Sequence, residues 1–248
     1  MSILKHFTEF DLTKEEIVKI GILFSSLILV ICIVSKLVVK EEKKLSWVIT
    51  LFNSGLLSVV GICYAIVKSP YHWPMFTLQP GHREIFHNID NVSALMCLWF
   101  ALANAADIVF GFFFYRKYLQ LLSGWAHHII FIWIMYICTT GDGLFLTIQP
   151  FAATFALSSL EEIPTFLLAL GALFPQFRTD LGFGATFFIF RIAYHFYLMC
   201  AGWIAGYDIT LRVLHLLTFA LHISWFNSWR NNYAKYRKRQ VEQNDKHA

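Results

Sequence analysis

The chain has 248 residues, 57% of them hydrophobic and 15% charged, with a mean hydropathy of +0.56 and a net charge of +4. Soluble domains carry roughly 25% charged residues, and a water-exposed fold could not cover so much apolar surface. The positive charge sits mostly in clusters at segment ends, which points to membrane topology and away from nucleic-acid binding.

A spanning helix needs about 20 mostly apolar residues. In chain order seven stretches are predicted to span: Ile17 to Val39, Ser46 to Val67, Ala94 to Tyr115, Leu121 to Thr139, Pro150 to Leu173, Phe183 to Trp203 and Leu211 to Trp229. The first is preceded by mixed charge and lacks a small-residue cleavage site, so it is expected to be retained. The fifth carries Glu161, Glu162 and Pro164, and Phe145 to Leu157 within and before it could form a separate re-entrant segment. Pro164 removes an amide donor, which predicts a kink at the glutamates with the Leu160 carbonyl left over. The expected fold is an all-α polytopic membrane helix bundle of about seven transmembrane helices with an interior lipid-accessible pocket. Residues 1–44 hold the first helix, 45–229 a six-helix membrane domain, and 230–248 a basic cytosolic tail.

Orientation follows from positive charge. Lys36, Lys40, Lys43 and Lys44, then Arg116 and Lys117, then Arg178, then Arg230 to Arg239 fall on one side if the chain crosses seven times. The positive-inside rule puts that side in the cytosol, giving a lumenal N-terminus and a cytosolic C-terminus. The long loop from Lys68 to Val92 is then lumenal; its His72, His82 and His87 match no tight metal spacing, and no metal is expected anywhere in the chain. Cys32, Cys63, Cys97, Cys138 and Cys200 each lie in an apolar run and suggest no disulfide framework.

Ionisable residues at membrane depth are costly and so mark structural or functional sites. Counted at about 1.5 Å per residue from the cytosolic ends of their spans, Asp107 and Arg191 lie about 12 Å deep, and His127 and His128 about 9–11 Å. Glu161, Glu162 and His195 lie about 15–18 Å deep. The common level suggests one interior site. Arg191 and His195 share a helix face, with Tyr194 flanking it, and Asp107 is a candidate partner for Arg191. His127 and His128 point about 100° apart, so only one faces the interior. A histidine of the pair could act as base or nucleophile, with Glu161 or Glu162 as acid or base. Asp107, Arg191, Tyr194 and His195 would bind a head group or form a structural cluster. His215 and His222, seven apart, share a face of the last span and are taken as packing residues.

The ordered set of a Trp-bearing second span (Trp47), "NAADIVFGFFFYRKYLQLL", "GWAHHIIFI", "SSLEEIPTFLL" and "FFIFRIAYHFY" resembles the TLC-domain family over about Leu45 to Trp229. The family is named for translocation-associated membrane proteins, longevity-assurance ceramide synthases and a ceroid-lipofuscinosis protein. The resemblance implies a lipid-accessible tunnel, residence in the endoplasmic reticulum and membrane lipids as partners. In the synthases a histidine pair like His127-His128 serves acyl transfer from acyl-CoA, which would be the co-substrate of an enzyme here. The synthases also carry a His-Asp pair and further aspartates where this chain reads "TFALSSLEEIPT". The chain therefore looks closer to the small non-synthase members, which act in membrane lipid composition. The expected function is lipid homeostasis by binding acyl or sphingoid lipids, with two alternatives: an acyl-CoA-dependent acyltransferase, and a trafficking partner without lipid chemistry. A homodimer is an open option.

Overall fold

The structure, a computed structural model, describes residues 6–7, 9–72, 88–140, 151–204, 206–207 and 209–245. All regular structure among them is helical. Helix α1 (Lys14–Val38) opens on a capping box in which Thr13 accepts from the Glu16 amide and the Glu16 carboxylate accepts from the Thr13 amide, satisfying two otherwise orphaned donors. Only Ile28, Cys32 and Ser35 of α1 are buried. Leu23, Leu29, Val30 and Leu37 stay exposed, a surface suited to lipid and not to water. After the short α2 (Glu42–Leu45), α3 (Val48–His72) returns across the bundle. Between α2 and the loop near Lys117, an exposed ion pair joins Lys117 to Glu42 at 2.7 Å, and that carboxylate raises the Lys117 pKa above its usual value.

Among the described residues, six helical stretches are long and apolar enough to cross a membrane: Lys14–Val38, Glu42–Lys68, Asn91–Phe114, Ala152–Leu173, Asp180–Ile204 and Ile209–Tyr236. The protein is thus an all-α, multi-pass membrane bundle. The stretch expected as the fourth span is not one of the six. It is a six-residue π-helix, Leu121–Ala126, running into α5 (His127–Thr140) of 14 residues. Alone, α5 rises about 21 Å, short of the ~30 Å hydrocarbon core, so a crossing there also needs the π turn. Residues 73–87, with His82 and His87, and residues 141–150 lie outside the described residues, so most of the expected loop and the first six residues of the expected re-entrant segment are not described.

Helix α4 (Asn91–Phe114) is the hub, packing on α1, α3, α5 and α6 (Ala152–Ser158). Ala152, Ala153 and Ala156 are fully buried; small side chains let helix backbones approach closely where lipid gives no hydrophobic drive. Gly61 on α3 does the same for the next segment: a Cβ there would fall 2.1 Å from the Ser159 Oγ and 3.4 Å from the Leu160 amide nitrogen.

The fifth predicted span runs as α6, a 3-10 turn (Ser159–Glu162) and α7 (Ile163–Leu173). The irregularity predicted at the glutamates is therefore present, but the Leu160 carbonyl is not orphaned, because the Ile163 amide bonds it in the tighter i→i+3 pattern. Then follow α8 (Asp180–Phe187), a π-helix (Phe188–Tyr194), α9 (His195–Ile204) and α10 (Ile209–Asp245). Gly206, at φ 79°, makes the turn into α10, a conformation other residues adopt only with strain. Helix α10 has 37 residues and continues into the basic tail through residue 245.

Candidate functional site

The bundle encloses a cavity with about 990 Å³ of empty space, its open mouth included. Five segments line it: α4 through Phe100, α5 through His127, Phe131, Ile134, Met135 and Cys138, the α6–3-10 segment through Glu161 and Glu162, the π-helix and α9 through Arg191 and His195, and α10 through Leu211 to Trp225. Apolar walls with a few convergent polar groups are the usual make-up of a small-molecule site.

Arg191 organises the polar wall. Its Nε donates to the Glu161 carbonyl at 2.8 Å and its Nη2 to the Thr165 hydroxyl at 2.6 Å. Nη2 also lies 3.5 Å from the Glu162 carboxylate. The guanidinium lies over the rings of Phe187 and Trp225, at 5.5 and 5.8 Å, a cation–π contact that helps hold a charge away from water. The local sequence explains the reach. The Glu161 carbonyl would ordinarily accept from the amide four residues on, but it sits at the junction of the 3-10 turn with α7 and turns to Arg191. Arg191 itself sits in a π-helical stretch, a wide-turn geometry common at functional sites.

A second set of contacts surrounds the Glu161 side chain. His195 Nδ1 lies 2.8 Å from Glu161 Oε1, and His195 Nε2 lies 3.1 Å from the His215 carbonyl. His222 Nδ1 lies 3.0 Å from the Arg191 carbonyl and 3.6 Å from Glu161 Oε2. Glu161, His195 and His222 are all buried.

Of the residues predicted from sequence, His127, Glu161, Glu162, Arg191 and His195 thus meet at one cavity. The other three lie elsewhere. Asp107 does not reach Arg191: its Oδ1 accepts from the Tyr115 hydroxyl and its Oδ2 lies 3.4 Å from His128 Nδ1. The His128 ring is out of line there for a hydrogen bond, so the contact is one of proximity alone. Chain geometry accounts for the split, since Tyr115 closes the same helix that carries Asp107 and meets it two turns on. His128 therefore faces the α4 end while His127 packs on Phe131, ring centroids 4.6 Å apart, beside the cavity. Tyr194 donates to the Leu157 carbonyl at 3.2 Å and stacks on Tyr197. His215 and His222, taken as packing residues, line the cavity; their seven-residue spacing placed both on one face, but nothing in it told which face turned inward. Thr165 was not singled out at all.

The chain matches no family model, no curated protein and no solved structure.

Proposed function

We propose that the protein binds an acyl-bearing membrane lipid in this cavity and acts through it in membrane lipid homeostasis, as a TLC-like protein of the endoplasmic reticulum. The observation that supports this is the mixed lining, part apolar (Phe100, Phe131, Ile134, Leu214 and Leu221) and part polar (His127, Glu162 and Arg191). Each methylene withdrawn from water contributes about 0.8 kcal/mol, and the polar side orients the head group. Photoactivatable fatty-acid or sphingoid probes in microsomes should label peptides of α5 and α10, and Ile134→Trp, which fills the apolar side, should cut that labelling at least several-fold. Labelling confined to the outer face of α1, indifferent to Ile134→Trp, would count against the cavity.

Acyl transfer is the second reading, favoured by the position of His127 at the cavity wall while His128 turns to Asp107. Given labelled acyl-CoA and a long-chain amine, an enzyme of this design forms an amide that His127→Ala abolishes and His128→Ala largely spares. Absence of product from the unaltered protein rules the reading out.

The same proposal has the clustered lysines and arginines on the cytosolic side and seven crossings, with the 121–140 helix as the seventh. Reporters fused to the two termini are then expected on opposite sides; a shared side refutes seven crossings.

A further inference from the structure

The Glu161–His195 contact calls for a positive charge, a proton or a metal ion, between its two acceptor atoms. A backbone carbonyl only accepts, so the 3.1 Å contact with the His215 carbonyl puts a proton on His195 Nε2. In the neutral ring Nδ1 is then a lone pair, and it faces a carboxylate oxygen at 2.8 Å. Two acceptors at that distance need something positive between them. His222 Nδ1 meets the Arg191 carbonyl at 3.0 Å and so carries the proton, which leaves Nε2 as its nitrogen with a lone pair to offer. A proton between Glu161 and His195 would satisfy that pair; a metal ion would satisfy it and draw on His222 as well.

We propose that Glu161, His195 and His222 form a binding site for a divalent transition-metal ion, with zinc the ion that fits best. One potential ligand atom from each of the three lies within 4.8 Å of the others. Both imidazoles give one nitrogen to a backbone carbonyl, the arrangement by which proteins fix the tautomer and direction of metal-ligating histidines. Two histidines and one glutamate are a donor set zinc takes in catalytic sites, which keep the fourth position open. All three residues line the cavity, so that fourth position is available to water or to an anionic oxygen of a bound molecule. Charge is consistent with this. Arg191 is turned to the neighbouring carboxylate of Glu162 at 3.5 Å, which leaves the Glu161 carboxylate to the metal. The three ligands come from three separate helical segments, 34 and 27 residues apart in sequence, so no short metal motif could show them. The site stands whether or not the cavity holds lipid.

The test uses tag-free full-length protein in detergent, treated with chelator and then titrated with zinc and with cobalt. One zinc per chain is expected. Cobalt should give the intense visible bands of a four-coordinate site, and X-ray absorption of the zinc form should show imidazole nitrogens and a carboxylate oxygen at about 2.0–2.2 Å. Glu161→Gln and His222→Gln, each checked for unchanged helical content, should weaken zinc binding at least tenfold. His82→Gln with His87→Gln should not. Retained binding in folded Glu161→Gln and His222→Gln protein, loss of binding in the His82→Gln/His87→Gln protein, or an all-oxygen shell around the metal overturns the proposal. Should the ligand variants fail to fold, the absorption data on the unaltered protein decide between these outcomes.

Discussion

Asp90→Ala is expected to destabilise the protein by about 3–5 kcal/mol, the range for stranding one member of a buried ion pair. Asp90 is fully buried, and its carboxylate has three partners. Its Oδ2 accepts from the Tyr64 hydroxyl at 2.7 Å and lies 3.2 Å from Lys68 Nζ. Its Oδ1 accepts from the Ser93 amide at 2.8 Å, while Ser93 Oγ accepts from the Asp90 amide at 3.0 Å, completing a capping box at the start of α4. Alanine would strand the Lys68 ammonium, whose side chain is only 8% exposed, and would remove a cap of roughly 1 kcal/mol. Asp90→Asn keeps an oxygen for the cap but not the charge, and should fall between the two. Thermal unfolding of purified protein in detergent provides the measurement, with a fall in Tm on the order of 10 °C expected for alanine. A Tm equal to that of the unaltered protein would show that the buried triad carries no net stability.

That triad was not visible in the sequence, and the reason is general. Lys68, Asp90 and Tyr64 stand at the ends of apolar runs, where polar residues are normal and attract no attention. Asp107, Glu161, Glu162, Arg191 and His195 stand inside such runs, where each needs a partner, and all of them but Asp107 line the cavity. What depth could not rank was the choice among partners at one level. Asp107 and Arg191 count to the same depth in the sequence, yet Asp107 is taken by Tyr115 across two turns of its own chain and Arg191 by the Glu161–Thr165 segment. The π-helical stretches at Leu121–Ala126 and Phe188–Tyr194 have no propensity signature that marks them in advance. They rotate side chains off the α-helical faces from which the sequence argument was counted. The bundle itself was legible because apolar runs of spanning length are a strong signal. His215 and His222 were legible as a face and not as a cavity lining, since facing inward depends on which helix packs opposite.

Arg191→Met should be the other severe substitution, and its conservative counterpart is the informative one. Methionine keeps much of the apolar stem but leaves the Thr165 hydroxyl and the Glu161 carbonyl without the Arg191 donor and the Glu162 carboxylate without its positive neighbour. The side chain of Arg191 is 13% exposed and that of Glu162 21%, so screening at their exposed atoms relieves part of the penalty; about 2–4 kcal/mol is expected, at or just below the range for fully buried pairs. Arg191→Lys restores the charge and not the geometry. One ammonium cannot reproduce the two nitrogens that reach Glu161 and Thr165 separately while the plane lies over Phe187 and Trp225. Lysine should therefore recover only a fraction of the lost stability, and it should recover less still of the lipid-probe labelling, which depends on the direction of the polar wall as well as its charge. Thermal unfolding and probe labelling measured on the same three proteins separate these effects. If lysine matches arginine in both, the cavity needs only a positive charge at this depth, and the fork geometry assigned to Arg191 has no role.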